Sequence, residues 1–75
     1  MYFVYIIKSS LLNRTYIGQT DDLQSRLKQH HGRLKAHDWK FVHVESYPTR
    51  SLAMRREKYF KTGDGRKVLQ NKGIV

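Results

Sequence analysis

The chain opens on Tyr2-Phe3-Val4-Tyr5-Ile6-Ile7, six apolar positions with no polar one between them. β-branched and aromatic residues without alternation suit a strand buried on both faces, so this run is read as the middle of a small sheet. Ser9 to Arg14 supplies a turn, and a second strand follows from Arg14 to Gln19. By the two-residue repeat it carries Tyr16 and Gly18 on one face and Thr15 and Ile17 on the other. Together the two runs predict a hairpin.

Thr20 is then read as the N-cap of a helix whose first turn holds Asp21 and Asp22, where the positive end of the helix dipole favours acids. Leu23 and Leu27 form its buried stripe, the helix reaches about His30, and Gly32 is the expected stop. Arg26 and His30, four apart, share a face beside the leucines. Trp39 to Tyr47 reads as a third strand, with Trp39, Phe41 and His43 alternating with Lys40, Val42 and Val44 until Pro48 breaks it. A second helix starts near Thr49 or Ser51 on the stripe Leu52, Ala53, Met54, Tyr59 and Phe60, and Gly63 with Gly65 ends it. A short last helix is expected from about Arg66 to Asn71. The order β-β-α-β-α-α describes one small α/β domain over residues 1–75, with helices packed on a mixed or antiparallel three-stranded sheet.

Composition narrows the functions open to such a domain. Its 75 residues bury only about 60% of the surface of the unfolded chain. With no cysteine, neither a disulfide nor a thiolate metal site can add stability, which agrees with a reducing, cytoplasmic setting. The longest apolar stretch is too short to span a bilayer and has no basic leader, so neither membrane insertion nor export is expected. Fifteen Lys and Arg against six Asp and Glu give a formal charge of +9. A polyanion relieves the self-repulsion of so small a cationic body. The cations are spread over every segment instead of lining one amphipathic helix, which favours nucleic acid over an anionic membrane.

Among the acids, Glu57 is unusual in lying between cations in "RREKYFK", on the helix flank it shares with Ala53 and Phe60. A carboxylate kept ionised by such neighbours is a natural oxygen ligand for Mg²⁺. The plainer alternative is an i,i+4 helix pair with Lys61, worth roughly 0.2–0.5 kcal/mol, and spacing alone favours it. Arg26 reads either as a phosphate clamp or as a solvated cation. The four histidines, His30, His31, His37 and His43, fit no standard zinc spacing. Tyr5 and Tyr16 are either packed strand aromatics or two phenols brought together on one sheet face.

These residues fall into one pattern, which resembles the GIY-YIG nuclease superfamily, in particular its small stand-alone members related to the N-terminal domain of the excinuclease of excision repair. The first motif corresponds to Phe3-Val4-Tyr5, which keeps only its tyrosine, and the second to Tyr16-Ile17-Gly18. "DLQSRLKQHH" is similar to the family's Arg-x-x-x-His element, and "SLAMRREKYFKTGDGRKVL" to the helix that carries its glutamate. His31 stands where the family often has Asn, and Asn71 is the nearest counterpart of a C-terminal asparagine.

The resemblance implies a three-stranded antiparallel sheet flanked by helices and hydrolysis of DNA phosphodiesters with one divalent metal, Mg²⁺ or Mn²⁺, held by Glu57. It implies catalytic roles for Tyr5, Tyr16, Arg26, His30 and Glu57. Arg26 would neutralise charge on the phosphate. Tyr5 is the candidate general base, its pKa of near 10 to be lowered by the metal, by Arg26 or by a lysine such as Lys8, and Tyr16 would position water or phosphate, although sequence does not rank the two phenols. Gly18 would allow close backbone approach on the active face. Nucleic acid is accordingly expected against Lys8, Gly18, Arg26 and Lys28, and against Arg55, Lys61 and Arg66 further along. The expected substrate is structured or single-stranded DNA, with RNA left open, and specificity is expected from a homodimer or a partner protein. The rival reading is a nucleic-acid-binding module that keeps the fold and no longer cleaves.

Overall fold

A computed structural model describes residues 1–33 and 38–74, so most of the loop expected after Gly32, and His37 with it, lies outside the described residues. The elements run β1 (Tyr2–Ser9), β2 (Arg14–Thr20), α1 (Leu23–Arg33), β3 (Lys40–Tyr47), α2 (Arg50–Phe60) and α3 (Gly63–Asn71). The sheet order is β2-β1-β3 with both pairings antiparallel, so the all-apolar strand is the central one. Val4, Ile6 and Ile7 are completely buried, and each such side chain removed from water contributes on the order of 1.5–3 kcal/mol.

The pleat divides β1 between two cores. Val4 and Ile6 pack with Ala53 and Phe60 of α2 and Leu69 of α3. Tyr5 and Ile7 pack on the other face with Trp39, Phe41 and the α1 leucines Leu23 and Leu27. The chain reverses between β1 and β2 at Asn13, whose φ of 50° is left-handed, a conformation that asparagine tolerates better than most residues. This turn is tied down from outside: Asp38 accepts from the Ser9 hydroxyl at 2.6 Å and from the Leu11 amide at 2.9 Å. Ser9 in turn accepts from the Leu12 amide at 3.1 Å.

Several expected boundaries move, each for a physical reason. Asp22, not Thr20, caps α1: its carboxylate accepts from the Ser25 amide and hydroxyl, so neither acid lies inside the first turn. Thr20 instead braces the approach by accepting from the Asp22 amide. Gly32 does not stop α1, which continues to Arg33, and its last turn is held where His31 Nε2 donates to the Trp39 carbonyl at 3.0 Å. Trp39 precedes β3 instead of starting it.

Within β3 the register slips, Ile6 facing His43 while Ile7 faces Phe41, so Val42 is an extra residue in a bulge. That slip overturns the simple alternation. Phe41 stays on the α1 face, while Val42 and His43 both turn to α2.

The buried stripe of α2 is Ala53 and Phe60, with Tyr59 partly covered; Leu52 and Met54 are exposed. The Arg56 guanidinium carbon lies 4.4 Å from the Phe60 ring centroid, so a cation covers that apolar ring while Leu52 and Met54 of the expected stripe face outward. Arg56 Nε donates to Glu45 at 3.0 Å. Tyr47 and His43 donate to the same carboxylate at 2.6 and 2.8 Å, clamping β3 to α2. Burial alone would raise the Glu45 carboxyl, but the hydrogen bonds from Arg56, Tyr47 and His43 outweigh it and hold it at about 2.

Gly63 and Gly65 do not end α2. Lys61 closes that helix, and Thr62 caps α3 by accepting from the Gly65 amide at 3.2 Å, so the last helix starts three residues earlier than expected. Gly65 is required by close approach: a Cβ there would lie 2.0 Å from the Tyr59 carbonyl oxygen and 2.7 Å from the Phe60 Cα.

This packing can be tested at two points. Gly65→Ala should lower stability by about 3 kcal/mol, whereas Gly63→Ala, with open space around its Cβ, should be neutral or stabilise by up to about 1 kcal/mol. Urea unfolding midpoints of the two variants test this, and equal midpoints would refute the close-approach account. Because the folded Glu45 carboxyl is depressed from 4.5 to about 2, its contribution is complete above the unfolded value and drains away as pH falls from about 4.5 to about 2. Glu45→Gln should therefore start less stable at neutral pH and lose less over that window, measured by unfolding at a series of acid pH values.

Candidate active site

Strands β1 and β2 place Tyr5 directly opposite Gly18. A Cβ at residue 18 would come within 2.5 Å of the Tyr5 hydroxyl and 2.7 Å of the ring carbon that bears it. Glycine is thus needed for the Tyr5 ring to lie across the neighbouring strand, and Gly18 is buried beneath it instead of presenting backbone to a ligand. The ring is 2% exposed. Its hydroxyl lies 2.8 Å from His30 Nε2 on α1.

Tyr16 is two residues from Gly18 on the same face, 42% exposed, with its ring centroid 4.5 Å from that of His30. The Tyr5 phenol is pushed up to about 12 by burial and by Tyr16, with Glu57 adding to the rise and the Arg26 guanidinium opposing it. Arg26 thus acts in the expected direction, but in the free protein burial and Tyr16 outweigh it. Lys8 cannot assist, because the pleat puts it on the opposite face, in register with Thr15.

Helix periodicity brings the remaining groups in. Leu23, Leu27 and His30 form the inward stripe of α1, and Arg26 sits half-buried on its margin, close enough for its charge to act on Tyr5. On α2, Glu57 lies one turn before Lys61, whose Nζ donates to its Oε2 at 3.0 Å. That ion pair is the plainer of the two sequence readings of Glu57. Lys61 then joins Arg66, Thr15, Tyr16 and Ile17 around a hollow of about 380 Å³ along the open side of β2. It continues over Leu69 and Gln70 of α3; Gln70 lines it, and Asn71 is exposed at the helix end.

The family model for the GIY-YIG catalytic domain matches residues 1–68. The chain belongs to the GIY-YIG family. No curated protein and no solved structure gives a significant match.

Within this GIY-YIG domain the structure gathers Tyr5, Tyr16, Arg26 and His30 at the β2 side of the sheet, with Glu57 near enough to be felt at Tyr5. Lys61 and Arg66 line the adjoining hollow. Lys28 is exposed on α1. Arg55 is also exposed, but at about 100° per residue it points some 200° round α2 from Glu57. Arg55 is therefore not brought to this edge.

Among the described residues no three His, Cys, Asp or Glu side chains converge. No helix among them is long and apolar enough to cross a membrane. Sequence reasoning missed Leu12, Arg14 and Trp39, which form a second hollow with Thr15 and Tyr16. Arg14 had a local signal, as a cation starting the strand that carries Tyr16.

The Tyr5 environment predicts its titration. Below about pH 11, Tyr5→Phe should develop the same phenolate absorbance as the wild type, because the Tyr5 phenol is still protonated there. A smaller signal from the variant would return this group to the ordinary tyrosine range.

Proposed function

We propose that this GIY-YIG domain is a divalent-metal-dependent endonuclease that hydrolyses DNA phosphodiester bonds in structured or single-stranded substrates of the kind met in repair. The observation that carries the reading is the contact between the Tyr5 hydroxyl and His30 Nε2 at 2.8 Å, beside a hollow lined by Tyr16, Lys61 and Arg66. Phosphate oxygens suit the two cations, and the hydroxyl of the partly exposed Tyr16 suits a water or phosphate held there. Arg26, whose charge is felt at Tyr5, would offset charge that develops on the phosphate.

For Tyr5 to accept a proton from water it must first lose its own. His30 Nε2 is placed to take it, leaving a phenolate beside an imidazolium and so keeping the pair neutral overall. Tyr16, exposed on the groove, is the positioning phenol, and Tyr5, buried beneath the strand edge, is the one that exchanges protons with His30.

A single half-buried carboxylate one helical turn from Lys61 of the groove fits Mg²⁺ or Mn²⁺, which commonly takes one or two protein carboxylates together with substrate phosphate and water. Bound by Glu57, such an ion supplies Lewis-acid stabilisation of the phosphoryl oxygens and the leaving group. Glu57 must first be released from Lys61, whose ammonium is then free to turn to the phosphate.

RNA is the second candidate polyanion. A homodimer or a partner protein would supply sequence specificity, since a domain of this size contacts only a short stretch of nucleic acid. The cysteine-free composition suits work in the cytoplasm.

Cleavage of single-stranded, duplex, flap and branched DNA with Mg²⁺ or Mn²⁺ tests this, with Glu57→Ala beside the wild type. Wild-type cutting should fall by about 100-fold or more in Glu57→Ala, while DNA affinity holds or rises because one anion has left a basic surface. Equal cutting by both would remove Glu57 from the reaction. Tight, salt-sensitive binding without cutting by the wild type would favour the non-catalytic binding module.

A further inference from the structure

The hollow formed by Leu12, Arg14, Thr15, Tyr16 and Trp39 has a volume of about 170 Å³ and shares Thr15 and Tyr16 with the groove that holds Lys61 and Arg66. The two therefore meet at Tyr16. We infer that this second hollow receives one unpaired nucleobase of the nucleic acid whose phosphate lies at Tyr16, so that the domain selects substrates with an unpaired nucleotide at the site of action. The inference rests on the reading of the Tyr16 edge as a phosphate site.

Three features of the hollow point to a base. Its walls combine an indole, a phenol, a leucine and a guanidinium, surfaces on which the π-face of any base can lie and whose stacking is tolerant of sequence. Trp39 is 5% exposed, and its buried Nε1–H has no hydrogen-bond partner among the described residues. A buried donor without a partner costs free energy until an acceptor reaches it, and the edge of every base carries acceptors.

The third feature is rigidity. Leu12 is 40% exposed, yet its backbone is fixed by Ser9, and Ser9 and Leu11 are both fixed by Asp38. An apolar side chain held out on a pinned turn forms a wall prepared before binding. The occupant is a base and not an apolar peptide side chain because Arg14, Lys61 and Arg66 surround Tyr16 in a chain of net charge +9. A paired base offers no free face, so duplex cannot fill the hollow.

Trp39 is the single tryptophan of the chain, so its emission reports on the hollow directly. The test titrates the protein, without divalent ions, with three DNAs of equal charge: a duplex with a single-stranded overhang, the same overhang with abasic sites next to the junction, and a fully paired duplex. The base-bearing overhang should shift or quench Trp39 emission and bind about tenfold more tightly than the abasic one. Leu12→Ala should reduce the base-bearing DNA to the abasic affinity.

Equal affinities for the first two DNAs with unchanged Trp39 emission would overturn the inference. Because the measurement is of binding, it separates from the nuclease reading. Base-selective binding by a protein that never cuts would overturn catalysis alone, whereas cutting without base-selective binding would overturn the base site alone.

Discussion

The contact on which the rest of the candidate site depends is the Tyr5 ring lying across Gly18. It joins β1 to β2 side chain against backbone, and through the hydroxyl it reaches His30 on α1. The first three elements of the chain are thereby fixed at one point. The same burial that makes Tyr5 part of the core also keeps its proton in place, since a phenolate in that position would face the phenol of Tyr16 and the charge of Glu57 with little water to solvate it. Packing and proton chemistry are therefore one constraint here.

The order of elements and the central strand were legible because burial on both faces leaves no polar position, a pattern that few other structures produce. The helices were less legible. Each buries an i, i+3, i+4, i+7 stripe: Leu23, Arg26, Leu27 and His30 on α1, and Ala53, Arg56, Glu57 and Phe60 on α2. Half of those positions are ionisable or basic, so hydrophobicity alone assigns the α2 stripe to Leu52 and Met54, which the structure leaves exposed. Within those stripes, the residues that spoil the apolar pattern are either members of the candidate site or, for Arg56, a lid on Phe60. A polar residue at a buried spacing is thus the more informative signal, because burying it without a partner is costly.

Long-range geometry was beyond reach of the sequence for a different reason. The bulge at Val42 depends on pairing between β1 and β3, and nothing in the local run announces it. Its consequence is large: it turns His43 away from Phe41 and towards α2, and with Glu45, Tyr47 and Arg56 it completes a network that no spacing rule suggested. The close approach at Gly65 is similar. Two glycines after a helix ordinarily signal its end, and only the passage of the α2 backbone beside α3 shows that one of them is there for space.

Charge at the β2 edge follows a consistent logic in the free protein. Glu57 is paired with Lys61, Tyr5 keeps its proton, and the charge of Arg26 acts on that buried phenol. The residues that line the two hollows meeting at Tyr16 include cations and no acid, which favours the approach of a polyanion to a chain of +9. In the proposed reaction, Glu57 would hold the divalent cation once released from Lys61, and the freed ammonium would add positive charge near the groove as the phosphate brings negative charge to it. The i,i+4 pair that looks like ordinary helix stabilisation is then a way to keep a carboxylate aligned at modest cost, since an exposed pair of this kind is worth only a few tenths of a kcal/mol. A stronger partner for Glu57, such as the bidentate arginine that holds Glu45, would hold the carboxylate too firmly to release it.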